Sequence, residues 1–246
     1  MTSVFLYVPN IIGYFRLLLV FSSCFFYSSN AILFITLYLC QTILDGVDGA
    51  VARKLKQTSA FGAWFDVVID NLGRGMLWCR LYQWGYFFAA LEWLVFVCTH
   101  NLGSQWKSST VQAPWFVQKV MEKNFKTLPE TFAILGLFVL PLWLYAHYTG
   151  VLGKTLHVPL VVQYAGIGFL SAGRALCFSV EVFFIYAHIM CLVKENENLH
   201  DVSETSPSVA ETLRRLIISA TAETFPRCLR DISEMSLRPA GDQKNW

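Results

Sequence analysis

An all-α fold that crosses a membrane about six times is what this sequence predicts, and three observations predict it. Of 246 residues, 55% are hydrophobic and only 15% charged, against about 25% charged in an ordinary soluble domain. Mean hydropathy is +0.46. The apolar residues fall in runs of about 20, the length that spans a bilayer as a helix. The formal charge of +2 gives no electrostatic footprint for nucleic acid, and none is expected as a partner.

Taken in order, the runs are Ile11 to Tyr27, Ala31 to Ala52, Phe61 to Tyr82, Trp84 to Leu102 and Pro129 to Tyr148, the last with Pro141 as an expected kink. The sixth run, Val158 to Val193, is longer than one span. It reads either as a tilted helix with an extension or as a short segment leading into one. From Lys194 the composition turns polar, so residues 1–194 are expected to form a membrane domain and 195–246 a polar tail. Within the tail Val209, Leu213, Leu216 and Ile217 recur at helical spacing beside Arg214 and Arg215. A surface-lying amphipathic helix and a disordered tail both remain open there.

Sidedness follows from Lys and Arg. With six spans, the second–third and fourth–fifth connections share a side with both termini. They carry Arg53, Lys54, Lys56, Lys107, Lys119, Lys123 and Lys126, whereas the opposite side carries Lys154. That imbalance makes the shared side cytoplasmic. No basic stretch with a short apolar run and a small-residue cleavage site opens the chain, so the first helix is expected to stay in the protein. Cys24, Cys40, Cys79, Cys98, Cys177, Cys191 and Cys228 are scattered, mostly in apolar runs. They read as small buried hydrophobes rather than disulfides or metal ligands.

The chemistry is concentrated in the acids. Residues 1–91 contain four, Asp45, Asp48, Asp66 and Asp70, all within one stretch, DGVDGAVARKLKQTSAFGAWFDVVID. One charge at mid-membrane costs about 2.5–3.5 kcal/mol on insertion scales, so four need cations or a watery cavity. Asp45 and Asp48 are spaced i,i+3 and Asp66 and Asp70 i,i+4, so each pair shares a helix face. The two helices are consecutive and antiparallel, which brings the pairs to one depth just inside the cytoplasmic face. Carboxylate oxygens without His or Cys suit hard cations, Mg²⁺ or Mn²⁺. Four of them can support two ions, an arrangement used in phosphoryl chemistry. Gly46, Gly49, Ala50 and Ala52 on one helix, with Gly62 and Ala63 on the other, leave bare backbone for a ligand or for the partner helix.

Asp45, Asp48-Gly49, Ala52-Arg53, Gly62, Asp66 and Asp70 match every fixed position and spacing of the CDP-alcohol phosphotransferase signature. On those residues the chain resembles that family over roughly residues 5 to 195. The upstream segment VPNIIGYFR, Val8 to Arg16, looks like the start of the eukaryotic phosphatidylinositol synthases. The resemblance implies a phosphatidyltransferase of the endoplasmic reticulum membrane that takes CDP-diacylglycerol and a small polar alcohol, myo-inositol first, and releases CMP. It implies Asp45, Asp48 and Asp66 as the main ligands of Mg²⁺ or Mn²⁺ with Asp70 beside them. Asp70 would be the general base. Gly49, Ala52 and Gly62 would shape the nucleotide's seat, and Arg53 would face the diphosphate. For the acceptor, inositol-using relatives tend to carry one basic residue just after the last Asp and another before the proline opening the fifth helix; here Asn71 and Leu128 stand there. Asn71, Arg74 and Lys126 are the acceptor-side candidates, with Arg174 a further one. A homodimer stays open.

Three other classes compete. A relative that moves CDP-choline or CDP-ethanolamine onto a lipid alcohol would be a longer chain with about ten spans. A degenerate paralogue would keep the metal and nucleotide site without turnover. A divalent-cation transporter would set acids nearer the bilayer centre and has no use for Gly49, Ala52-Arg53 and Gly62.

Overall fold

The computed structural model describes residues 4–100, 117, 118, 120 and 127–205, with 194–205 as backbone only. Among the described residues the fold is helical throughout. A 3-10 turn at Val4–Leu6 leads into α1 (Val8–Phe26), followed by α2 (Ala31–Leu55), α3 (Ala60–Leu81), α4 (Gly85–Thr99), α5 (Leu128–Tyr148) and α6 (Leu160–Thr205). These six helices lie on the six apolar runs. The chain is an all-α, polytopic membrane protein. α1, α2, α5 and the Leu160–Val193 part of α6 are each long and apolar enough to cross a bilayer. α3 carries Asp66, Asp70, Arg74 and Arg80, and α4 has 15 residues, which is why neither reaches that standard by itself.

Local chemistry sets the helix ends. Asn30 caps α2, its side chain accepting from the Leu33 amide at 3.0 Å. Ser59 caps α3, accepting from the Gly62 amide at 3.0 Å, a bond worth about 1 kcal/mol. α2 stops at Lys56, which takes a left-handed conformation with φ 55°. Arg53 and Lys54 in its last turn complement the negative end of the helix dipole. The turn is then fastened to α1, because the Val8 amide donates to the Gln57 side-chain carbonyl at 3.0 Å.

The sixth run, Val158 to Val193, lies in one helix that extends past it, and a separate turn precedes it. Val151–Thr155 forms one π-helical turn after Gly150, a glycine at φ 76°. α6 then runs unbroken from Leu160 to Thr205. Its 34-residue apolar part is about 50 Å long, against a hydrocarbon core of about 30 Å. Pro141 lies inside α5, as the sequence requires. Lys126 and the 206–246 segment with its amphipathic pattern lie outside the described residues.

The described chain divides into two compact units: Met1–Trp93 with Ile134–Cys177, and Leu94–Ala133 with Phe178–Trp246. In the first, α1 packs on α2 and α3. Gly13 makes that approach close, since a Cβ there would sit 2.9 Å from the Phe65 ring. One core cluster joins Phe34, Tyr38, Leu77 and Tyr145, and a second joins Trp78, Leu140 and Leu170. Gly136 lets the backbones of α5 and α6 touch, because a Cβ there would collide with the main chain at Gly173 and Arg174. The second unit buries Val180, Phe184, Ala187 and Cys191. The cysteines among the described residues are free thiols.

Candidate metal centre

α2 and α3 deliver the acids as their spacing requires. Asp45, Asp48 and Asp66 each offer an oxygen, and these oxygens lie within 4.8 Å of one another. Asp70, one turn further along α3, joins the same group through a shared partner. That partner is Arg16 of α1. Its Nη1 donates to Asp48 Oδ2 at 2.7 Å and to Asp66 Oδ1 at 2.5 Å. Its Nη2 lies 2.7 Å from Asp45 Oδ1 and 2.8 Å from Asp70 Oδ1. One guanidinium thus meets four carboxylates.

The cage is open on one side. The Arg16 side chain is 0% exposed, whereas Asp45 is 31% and Asp66 45% exposed. A cavity of about 190 Å³ lies there, lined by Asp48, Asp66 and Arg16. Gly49, Ala52, Arg53 and Gly62, the four residues the signature assigns to the nucleotide, line the same cavity. So do Pro9, Asn10 and Gly13 of α1, and Gln57 and Ser59 of the turn. The glycine at 62 is needed for space: a Cβ would lie 2.8 Å from Asn10 Oδ1. The donor set fits a hard divalent cation. All its donors are carboxylate oxygens, from Asp45, Asp48 and Asp66, the ligands such an ion prefers.

On the other side of Asp70 the charged groups are buried and lie against one another. Arg74 Nη1 lies 3.4 Å from Asp70 Oδ2. Its Nη2 donates to Asn71 Oδ1 at 2.7 Å, and its Nε donates to Glu92 Oε2 at 2.8 Å. The guanidinium also stacks on Phe138 at 4.4 Å. Arg174 approaches Glu92 Oε1 at 3.8 Å. Asn71, Arg74, Glu92 and Arg174 are all buried. The acceptor-side candidates Asn71 and Arg74 are therefore neighbours of Asp70 whose polar groups are engaged with protein. Leu128 is exposed at the start of α5.

Two charged residues of this cluster escape the acidic-cluster reading, Arg16 and Glu92. Arg16 carried a signal of its own, because it is the single charged residue before Asp45, and a lone intramembrane cation needs a partner. Asn10 carried less. It is a buried amide near the start of α1, its Nδ2 donating to the Val4 carbonyl at 2.6 Å.

The family model for CDP-alcohol phosphatidyltransferases matches residues 6–194. The chain belongs to the CDP-alcohol phosphatidyltransferase family. An 84-residue stretch is 48% identical to a probable CDP-diacylglycerol–inositol 3-phosphatidyltransferase 2 of Arabidopsis thaliana, covering 33% of this chain and 36% of the relative. An 86-residue stretch is 38% identical to the CDP-diacylglycerol–inositol 3-phosphatidyltransferase of Saccharomyces cerevisiae, covering 33% and 39%. The corresponding protein of Homo sapiens is 38% identical over 69 residues, covering 28% and 32%. The matched stretches thus span about a third of the length of each of these relatives. No solved structure matches the chain.

Proposed function

We propose that the chain transfers a phosphatidyl group from CDP-diacylglycerol to a small polar alcohol, myo-inositol first, and releases CMP, using Mg²⁺ or Mn²⁺ held by Asp45, Asp48, Asp66 and Asp70. The observation that carries the reading is the convergence of those carboxylates on Arg16, beside a cavity lined by Asp48 and Asp66 together with Gly49, Ala52, Arg53 and Gly62. The bare backbone at Gly49 and Gly62 makes room for the nucleotide, and Arg53 faces its diphosphate. Bound divalent cations would supply charge to screen the diphosphate and stabilise the departing CMP. The Asp70 carboxylate takes the proton from the acceptor hydroxyl as that oxygen bonds to the lipid phosphorus and the phosphorus–oxygen bond to CMP breaks. Apolar walls let the diacylglycerol tails reach the site from the bilayer. The similar proteins named for transfer to inositol support it as acceptor.

The same reading places the membrane domain in the endoplasmic reticulum with both termini and the site on the cytoplasmic side, supported by the Lys/Arg imbalance. A tag at either end that proves accessible only from the lumen would overturn the orientation.

One observation favours a second reading, a paralogue that binds donor and metal without turnover. Arg74, which could stand in for the basic residue that Asn71 replaces, is turned towards Asp70, Asn71 and Glu92. A single assay separates the two: full-length protein in lipid with CDP-diacylglycerol, Mn²⁺ or Mg²⁺ and a panel of alcohols, with CMP release measured. Release with inositol is expected. Donor binding without release for any alcohol would leave the paralogue reading standing.

A further inference from the structure

The metal reading leaves Arg16 without a role, although it is the most heavily engaged side chain in the site. Two nitrogen atoms meet four carboxylates at 2.5–2.8 Å. No other charged residue precedes Asp45. Without Arg16, four anions on two neighbouring helices would face one another across a few ångströms in a poorly screened setting, where like charges repel strongly. An arginine suits the task better than a lysine, because its planar fork presents several fixed donors to several oxygens at once.

The oxygens it holds belong to the same Asp45, Asp48 and Asp66 that form the metal-ligand group. We propose that Arg16 is the resident counter-ion of the carboxylate cage, holding α1 against α2 and α3 when no metal is bound and competing with a divalent cation for the same carboxylates. The inference rests on the metal reading above. Its consequence is a site that stays assembled across metal exchange. With Arg16 present, folding gains less from metal. With Arg16 gone, the cage needs the metal to offset its charge, and folding and metal binding become linked.

The test uses full-length protein in detergent or lipid nanodiscs, with Mn²⁺ as the probe. Mn²⁺ affinity is read by electron paramagnetic resonance, and thermal unfolding is followed in excess chelator and in saturating Mn²⁺. Arg16→Gln should lose most of its thermal stability in chelator and recover most of it in Mn²⁺, and it should bind Mn²⁺ about tenfold more tightly or better, because a competing cation has been removed. Arg16→Lys should fall between. The double variant Arg16→Gln/Asp66→Asn carries one negative charge fewer and should be more stable in chelator than Arg16→Gln alone.

A merely structural arginine gives the opposite pattern. Arg16→Gln would then lose the same stability with and without Mn²⁺, Mn²⁺ affinity would be unchanged or weaker, and adding Asp66→Asn would deepen the loss. Any of these outcomes overturns the proposal. If Arg16→Gln fails to fold, the Arg16→Lys variant carries the same comparison through its Mn²⁺ affinity. If neither the wild type nor the variants bind Mn²⁺, the metal reading fails, and the single and double variants in chelator still decide the counter-ion role.

Discussion

Asp70 stands between two regions with opposite electrostatic habits. On one side lie Asp45, Asp48 and Asp66, which share Arg16, with Asp48 and Asp66 lining a cavity. On the other lie Arg74, Glu92 and Arg174, cations alternating with an anion, buried and in contact with one another. The first region has an excess of negative charge and an opening. The second sets two arginines around one glutamate, with Asp70 as a further anion beside Arg74. Buried charges that find partners within the protein brace the fold, and a set left with surplus charge beside a cavity is a place for an ion to bind. Asp70 belongs to both regions, with Oδ1 on Arg16 and Oδ2 towards Arg74. The one carboxylate assigned a proton-transfer role is thus held from both sides.

The comparison is broken most severely by withdrawing metal. Excess chelator should abolish CMP release and donor binding together while the protein stays folded, because Arg16 holds the cage. Donor that still binds tightly in chelator would remove the metal from the donor side. Asp45→Asn and Asp66→Asn should likewise damage donor binding and turnover together.

Asp70→Asn sharpens the contrast. General-base help is worth about 10²–10⁴-fold, so turnover should fall by that factor while donor affinity survives, as read by CMP release beside donor titration. An equal loss of donor affinity would make Asp70 one more ligand of the open side.

Glu92→Gln addresses the paired region. It leaves Arg74 short of a counter-charge in a buried setting, and breaking such a pair costs about 3–5 kcal/mol. Thermal unfolding should show that loss while Mn²⁺ affinity holds. A smaller effect comes from Gly62→Ala, whose new methyl would press on Asn10 Oδ1 at 2.8 Å. Overpacking of this kind costs about 1–3 kcal/mol, and here it should also weaken donor binding, since the same space belongs to the cavity. Ser59→Ala should be mildest, about 1 kcal/mol in thermal unfolding from the lost cap, with the chemistry intact.

The helices and the acid cage were legible in the sequence for one reason: both are written locally. A run of about 20 apolar residues specifies a span, and i,i+3 or i,i+4 spacing specifies a face, whatever the rest of the chain does. Arg16 and Glu92 meet their partners across tertiary contacts, and nothing in local spacing says which helix will lie opposite. The end of α6 illustrates a different limit. Composition changes at Lys194, yet the backbone stays helical to Thr205. Polarity reports on the bilayer, while Lys, Glu and Leu remain good helix formers on either side of its surface. The π turn at Val151–Thr155 was hidden for a similar reason, since its geometry depends on Gly150 and on packing of Val151 and Leu152 against Ala146.

All four carboxylates come from a single hairpin, residues 45–70, and Arg16 comes from the helix before it. Ribosomes make the chain from its N-terminus at about 5–20 residues per second, so the guanidinium is synthesised seconds before its anions. α1 therefore begins its residence in the membrane with a cation in want of partners, and the arriving α2–α3 hairpin answers that need. The order of synthesis is fixed by the sequence: the positive charge is made first, and the four carboxylates follow it.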